Sequence, residues 1–179
     1  MTPGLLTVDE YAALGALESG YTELVEGRLL LVPDDGRDHD SVTDTLAKTL
    51  ERQLPDGVEL LVRADLDLRL AAAGEPGYSR RPDLMLVRDA AGGLVRSGEV
   101  VVVIEVAAEG SRRTDYVAKR AEYADAGIPH YWIVDLDEPV SLTACHLAGE
   151  FGYQDSGAVT GTFTTADPIS VSLDLDRLL

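Results

Sequence analysis

The stretch Glu99–Asp135, EVVVVIEVAAEGSRRTDYVAKRAEYADAGIPHYWIVD, decides the fold. It opens with five consecutive β-branched residues, Val100–Ile104, a run too apolar for a strand with one face in water. We therefore predict a central strand that is buried on both faces. Glu105 interrupts the run, and a carboxylate at the end of a buried strand costs free energy unless it is paired or bound to a cation.

A helix and a second strand complete this stretch. Ser111 is placed to cap a helix that runs to Ala126. Gly127 and Pro129 then end the helix. The next segment, His130–Asp135, is a β run closed by an acid. Strand, helix and strand in this order predict a right-handed βαβ unit.

The rest of the chain supplies further helices and strands. Helices are predicted over 7–19, where Thr7 and Glu10 fit a capping box, and over 39–54. Apolar and alternating segments predict strands over 21–25, 28–32, 58–70 (broken or bent near Ala64) and 81–87. Glycine-punctuated β segments over 140–147, 150–153 and 159–163 predict an antiparallel meander.

Length and composition bound the class of protein. The 179 residues are expected to form one domain, 1–179, large enough to fold without a metal or disulfide. Cys145 is the single cysteine, which excludes an internal disulfide. The N-terminus lacks the basic and apolar regions of a signal peptide, and no apolar run reaches membrane-spanning length. We therefore expect a cytoplasmic protein that does not enter a membrane.

The net charge argues against simple nucleic-acid binding. Fifteen Lys and Arg residues stand against 32 Asp and Glu residues, which gives −17. Such a surface repels nucleic acid at long range. Any role on nucleic acid therefore requires a local basic patch or metal ions.

Two acids beside apolar β runs are the candidates for chemistry. Asp83 follows Pro82 at a strand start, and Glu105 ends the central strand. If the two carboxylates converge at the rim of the sheet, they can hold Mg²⁺ through oxygen, with the Val106 carbonyl as a further ligand. A bound metal activates water and stabilises charge on a phosphate. Lys119 on the following helix is a candidate to hold the attacking water or offset developing charge.

Purely structural roles explain the same residues. Asp83 can accept bonds from backbone amides at the strand start, and Glu105 can pair with an arginine such as Arg81 or Arg113. From spacing alone, both interpretations remain open.

The following helix has structural interpretations of its own. Asp115 and Lys119 have the i, i+4 spacing of a helical ion pair with the acid first. Lys119 and Tyr123 can likewise share a helix face without taking part in chemistry.

Other polar signals are weaker. The acidic loop at 33–40, PDDGRDHD, lacks the spacing of a calcium-binding loop and is expected to be solvated. His39 is expected to cap the second helix, the alternative being that it faces the site. No two histidines among His39, His130 and His146 have metal-ligand spacing.

Two segments resemble a known family. RPDLMLV at 81–87 and VVVIEVAAEGSRRTDYVAKRAEYADAGIPHYWIVD at 101–135 resemble the Uma-type "putative restriction endonuclease" family of the PD-(D/E)XK nuclease superfamily. TELVEGRLLLV at 22–32, the helix that opens with His39, and ISVSLDLDRLL at 169–179 are also similar to the layout of the family. The resemblance implies an α/β (α+β) fold: a restriction-endonuclease-like core, with a central mixed β-sheet flanked by helices.

The resemblance also assigns the site residues. It implies that Asp83 is the acid of the Pro-Asp motif and Glu105 the second metal-binding acid. The wider superfamily usually carries a lysine two residues after that acid, where this chain has Ala107. The family takes its lysine from the next helix, which matches Lys119. Three further residues are expected to support the site: Glu23, Asp115 and Tyr123.

The chain departs from the family at the turn after the central strand. Ala108 and Glu109 stand where members commonly carry a serine and a proline. The missing hydroxyl and the added negative charge bear on fine positioning near the proposed metal.

The function implied by the resemblance is a metal-dependent DNA endonuclease. Mg²⁺ is the expected cofactor, Mn²⁺ a substitute, DNA the substrate and a homodimer the assembly. The alternative is a catalytically weak or inactive nuclease-fold protein that acts as a protein-interaction module, an interpretation that the charge of −17 favours. A third interpretation combines an acidic surface that recruits a basic partner with a site that acts on short or structured nucleic acid.

Overall fold

The chain forms an α+β fold in the computed structural model, which describes residues 4–15, 21–33, 36–89 and 92–179. The helices of the described residues are α1 (Val8–Leu14), α2 (Arg37–Glu51) and α3 (Arg120–Asp125). The first strands along the chain are β1 (Thr22–Val25), β2 (Arg28–Leu31), β3 (Val58–Val62), β4 (Leu66–Asp67), β5 (Ser79–Arg80), β6 (Leu84–Arg88) and β7 (Val95–Arg96). The remaining strands are β8 (Val100–Ala107), β9 (His130–Asp135), β10 (Ser141–Leu147), β11 (Tyr153–Asp155), β12 (Val159–Thr160), β13 (Thr162–Thr165) and β14 (Val171–Asp174).

A mixed sheet forms the centre of the fold. Its strand order is β11-β10-β9-β8-β6-β3, with β12 paired to β10. Strands β8 and β9 are parallel, as the strand–helix–strand pattern predicts, and the other pairs in this sheet are antiparallel. A second sheet has the order β2-β1-β5-β4-β7, and β13 pairs with β14. The predicted central mixed sheet with flanking helices is confirmed.

The central strand β8 is buried along its whole length, as its β-branched run predicts. Side chains alternate between the two faces of a strand. Ile104 and Val106 pack on one side in the core that contains Leu46 of α2, whereas Val103 packs on the other side in the core that contains Tyr123 of α3. Helices on both faces therefore explain why this strand lacks the polar alternation of a half-exposed one.

The predicted helix over 111–126 has a different form. Thr114–Lys119 is a π-helical segment, and α3 follows it. Ser111 directly precedes the first helical residue, Arg112, and its carbonyl accepts a hydrogen bond from the Asp115 N–H at 3.0 Å. Its hydroxyl oxygen accepts a hydrogen bond from the Ala108 N–H at 3.2 Å. Short π-helical segments recur at functional sites.

Several other predicted boundaries shift. The capping box of Thr7 and Glu10 is confirmed, but α1 ends before Gly15, and the predicted residues 16–19 lie outside the described residues. The predicted strand over 58–70 is two strands, β3 and β4. The strand predicted over 81–87 runs from Leu84 to Arg88, and Pro82, which has no N–H to donate to a ladder, lies outside it.

The C-terminal segments predicted as a meander form antiparallel pairs with shorter strands. Strand β10 is antiparallel to β9 on one edge and to β11 and β12 on the other, so the second and third predicted segments both pair with the first. The end of the third segment lies in β13, which pairs with β14 in a separate sheet. Gly149–Phe151, which overlaps the start of the predicted 150–153 strand, is a short 3₁₀ turn. In the part of the chain that the structure describes, no helix combines the length and apolar character of a membrane span.

Candidate functional site

The register of two neighbouring strands brings the predicted acids together. Strands β6 and β8 are antiparallel with Leu84 opposite Ile104. One step further in this register places Asp83 opposite Glu105, where cross-strand side chains on one face are direct neighbours. Alternation along the strands puts both acids on the face that also carries Val103. The sheet therefore turns two residues that are distant in sequence into one acidic pair.

Asp83 is held from two directions. Its Oδ2 accepts a hydrogen bond from the backbone N–H of Val106 at 2.8 Å and lies 3.1 Å from His39 Nε2. The N–H and C=O of a residue in a strand project toward the same neighbouring strand. The Val106 carbonyl therefore projects toward Asp83, on the side where the sequence predicts a metal ligand.

Glu105 is buried, with 2% of its surface exposed. Its Oε1 accepts a hydrogen bond from the Tyr123 hydroxyl at 2.7 Å, and its Oε2 lies 3.0 Å from Lys119 Nζ. Lys119, rather than an arginine such as Arg81 or Arg113, is thus the cation that pairs with this carboxylate. Burial raises the pKa of Glu105 well above its usual value, against the opposing pull of Lys119.

Lys119 joins two buried acids. Its Nζ also lies 3.0 Å from Asp115 Oδ1, which confirms the i, i+4 pair expected from spacing. Burial opposes the charged ammonium, but Glu105 and Asp115 outweigh it and raise the pKa of Lys119. Burial also raises the pKa of Asp115, and its Oδ1 makes no directed hydrogen bond within the described residues. The lysine therefore stays charged between two buried carboxyl groups.

Glu23 belongs to the wall of the site. Its Oε2 accepts from Arg80 Nη1 at 2.6 Å, and its Oε1 accepts from the Arg81 backbone N–H at 3.1 Å. Arg80 also donates to both oxygens of Glu122 on α3, at 2.7 Å each. Glu23 therefore ties β1 and β5 to α3 through Arg80, which is 4% exposed. Sequence reasoning missed Arg80 because it ends a loop rich in glycine and alanine.

His39 does not cap α2, and the prediction that it does is wrong. The helix begins at Arg37 with Gly36 in the N-cap position, so His39 lies within the first turn and turns inward to Asp83. The helical spacing from His39 to Val42 and Leu46 is the signal that could have identified it, because it places the histidine on the apolar face.

These groups border a cleft of about 180 Å³. Asp83, Glu105, Lys119, Asp115 and Glu23 all line it, and Tyr123 supports Glu105 from the core behind. The other lining residues are Leu30, Leu31, Val32, Pro33, Arg80, Arg81, Gly110, Ser111 and Thr114. The structure thus brings together every side chain that the sequence predicts for the site.

The donor set suits a hard divalent cation. Carboxylate and carbonyl oxygens are the ligands that Mg²⁺ takes in proteins, usually with water completing the shell. Four carboxylates line the cleft, those of Asp83, Glu105, Asp115 and Glu23, against the three cations Lys119, Arg80 and Arg81. Among the described residues, no three His, Cys, Asp or Glu side chains form a metal-holding group by themselves. A cation here would need the Val106 carbonyl or water as well.

Comparisons with known proteins identify the family and the fold. The model of the family described as "Uma2: Putative restriction endonuclease" matches residues 8–176. The fold is similar to the crystal structure of a putative nuclease belonging to DUF820 from Anabaena variabilis ATCC 29413, with a TM-score of 0.69 and 14% identity over 97% of each chain. At that identity the likeness establishes the fold, and the predicted nuclease-like fold is confirmed. Comparison with curated proteins gives no match.

Proposed function

Since this chain belongs to the Uma2 family, described as putative restriction endonucleases, we propose that it is a metal-dependent endonuclease that hydrolyses DNA phosphodiester bonds. The observation that supports the proposal most directly is the hydrogen bond of 2.8 Å from Val106 N–H to Asp83 Oδ2. This bond joins Asp83 to the residue that follows Glu105, and Glu105 is itself paired with the buried Lys119.

Asp83, Glu105 and the Val106 carbonyl are the groups that would hold Mg²⁺, or Mn²⁺ as a substitute. The bound cation supplies Lewis-acid polarisation of the phosphate and activation of water. The hydrogen bond from Tyr123 to Glu105 Oε1 fixes that carboxylate in one orientation. The contacts of Asp83 Oδ2 with Val106 and His39 fix the orientation of the Asp83 carboxylate.

Lys119 acts as a hydrogen-bond donor and a positive charge. Its raised pKa keeps the ammonium protonated at neutral pH, so it does not serve as a general base. Its Nζ borders the cleft beside Glu105 Oε2. From there it can orient an attacking water or stabilise charge that develops on a phosphate oxygen.

A cleavage assay tests this proposal. Purified protein is incubated with supercoiled, linear and single-stranded DNA and either Mg²⁺ or Mn²⁺. We expect cleavage by the wild type and by Asp174→Asn, a control at a half-exposed acid whose partner is Arg177. We expect its loss in Asp83→Asn and Glu105→Gln. Cleavage that persists in Asp83→Asn at the wild-type rate would refute the site assignment.

A non-catalytic scaffold is the second candidate function. The observation that favours it is the net charge of −17, which opposes DNA. Titration calorimetry with Mn²⁺ separates the two. Binding that disappears in Glu105→Gln supports the nuclease, whereas no binding at millimolar metal supports the scaffold.

We also propose the homodimer that the family resemblance implies. One chain has a mass of 19.2 kDa. Light scattering at several protein concentrations measures the assembly, and the mass of a single chain throughout would contradict the dimer.

A further inference from the structure

A second cavity adjoins the acidic cleft. It has a volume of about 220 Å³ and shares Val32, Pro33, Arg81 and Asp83 with the cleft. Its remaining lining residues are Tyr21, His39, Asp40 and Arg63. We call Tyr21, Arg63 and Arg81 the Tyr21 cluster.

Two guanidinium groups of the Tyr21 cluster lie against one aromatic ring. Arg81 Cζ is 5.3 Å and Arg63 Cζ is 5.8 Å from the centroid of the Tyr21 ring, and Tyr21 is 45% exposed. Cations at this distance are attracted to the ring face. The cluster therefore presents an exposed aromatic ring and two fixed positive groups to the cavity beside Asp83.

Both guanidinium groups keep hydrogen-bond donors that their acid partners do not use. Arg81 donates through Nε and Nη2 to Asp65, at 2.8 and 3.0 Å. Arg63 donates through Nη2 to Asp40. Each guanidinium carries five N–H donors in a planar fork that matches phosphate oxygens. The acids thus orient the two arginines and leave N–H groups for a ligand.

The backbone at Arg63 points to a role for its side chain. Arg63 has φ = 48°, a left-handed conformation that favours glycine, and its N–H donates to the Asp83 carbonyl at 3.0 Å. Its partner Asp40 has a side chain that is 55% exposed, and an exposed ion pair contributes little to stability. Strained residues of this kind concentrate at functional sites. The ion pair with Asp40 alone does not explain an arginine here.

We propose that the Tyr21 cluster binds the DNA strand next to the phosphate that is cleaved. Arg63 and Arg81 hold a neighbouring phosphate, and the Tyr21 ring stacks against the adjoining nucleotide. The inference rests on the proposed endonuclease function and identifies arginine donors that can contact a phosphate in a chain of −17.

The test uses a pair of matched arginines in left-handed turns. Arg63→Gly removes the guanidinium and relieves the strain at φ = 48°. Arg69→Gly does the same at φ = 54°, among residues that line neither the cleft nor the second cavity. Both changes are made in Asp83→Asn, which holds the DNA uncut, and the affinity for a labelled DNA duplex is measured by fluorescence anisotropy over a range of salt concentrations.

We expect Arg63→Gly to weaken DNA binding about tenfold, because one charge-assisted contact is lost. In this variant the negative slope of log K against log salt should become shallower by about one. Its melting temperature is expected to stay level or rise, and Arg69→Gly to bind as the parent does. Tyr21→Ala is expected to weaken binding without changing the salt slope.

Three outcomes would overturn the inference. If Arg63→Gly binds DNA as tightly as the parent, Arg63 does not contact the DNA. If Arg69→Gly weakens binding as much as Arg63→Gly does, the effect comes from net charge alone. If the parent does not bind DNA, DNA is not the ligand of the Tyr21 cluster. Cleavage by the wild type is scored separately, so cleavage together with unchanged Arg63→Gly affinity would refute the cluster and leave the proposed endonuclease standing.

Discussion

Asp83 and Val106 are joined by a hydrogen bond of 2.8 Å from the backbone N–H of Val106 to Asp83 Oδ2. Asp83 lies directly before β6, and Val106 follows Glu105 in β8. The bond therefore holds the two acids at the same edge of the sheet. Its consequences for stability, metal binding and reactivity can each be measured.

Tyr123→Phe should destabilise the protein by about 2 kcal/mol, because a bond to a charged or partly charged buried carboxyl group is lost. The Tyr123 hydroxyl donates to Glu105 Oε1 at 2.7 Å. Urea unfolding at neutral pH measures the change. Tyr153→Phe is the matched control, since its buried hydroxyl donates to a neutral carbonyl, that of Ile128, at 2.7 Å and should cost about 1 kcal/mol. A larger loss in the control would contradict the assignment.

His39→Ala should weaken Mn²⁺ binding about 10- to 100-fold, the effect of removing a group that orients a metal ligand. His39 Nε2 lies 3.1 Å from Asp83 Oδ2. His39→Gln should restore part of the affinity because its amide can donate at a similar position. His146→Ala, at an exposed histidine of β10, is the calorimetric control. Wild-type affinity in His39→Ala would show that Asp83 keeps its orientation without the histidine.

Lys119→Met should destabilise the protein by about 3–5 kcal/mol at neutral pH, because it leaves Glu105 and Asp115 buried without their cation. Burial already raises the pKa of both carboxyl groups, and removal of the ammonium raises each further. A carboxyl group whose pKa is higher in the folded state stabilises the fold while it is protonated. That contribution is complete below the unfolded pKa of about 4 and is lost as the pH rises from there through the folded pKa.

The deficit of Lys119→Met should therefore shrink when unfolding is measured at acidic rather than alkaline pH. Lys48→Met, at an exposed lysine of α2, should show neither the deficit nor its pH dependence. A deficit that is constant across the pH range would mean that the packing of the lysine stem, rather than its charge, is what matters.

The Cys145 thiol should be unreactive toward a disulfide reagent at mildly alkaline pH in the folded protein. Burial raises the pKa of Cys145 to about 11, so almost no thiolate is present and the sulfur is also shielded from the reagent. Full reaction is expected in concentrated urea. Rapid labelling of the native protein would show that β10 opens locally.

Much of the fold could be predicted from local pattern. The β-branched run of β8 and the β run of β9 are suited to a buried sheet, and the helical segment between them supplies the long crossover that a parallel pair needs. The predicted α-helix over 111–126 was partly wrong because periodicity does not distinguish an α-helical turn from the π-helical segment Thr114–Lys119.

The acids of the candidate site were predicted because a carboxylate at the end of an apolar strand is conspicuous in the sequence. The side chains that contact these acids could not be predicted as easily. His39 is 44 residues from Asp83, and Arg80 is 57 residues from Glu23. Residue spacing carries no direct information about contacts at such separations.

Composition and apolar periodicity were thus enough to specify which segments are buried and which acids stand at strand ends, because burial of apolar surface depends on local pattern. Only the tertiary structure decided that Lys119 pairs with Glu105 and that His39 contacts Asp83. It also placed Arg63 and Arg81 against the ring of Tyr21. These choices depend on side-chain reach and on desolvation where distant segments meet, and each is settled only when the sheet brings those segments within a few ångströms.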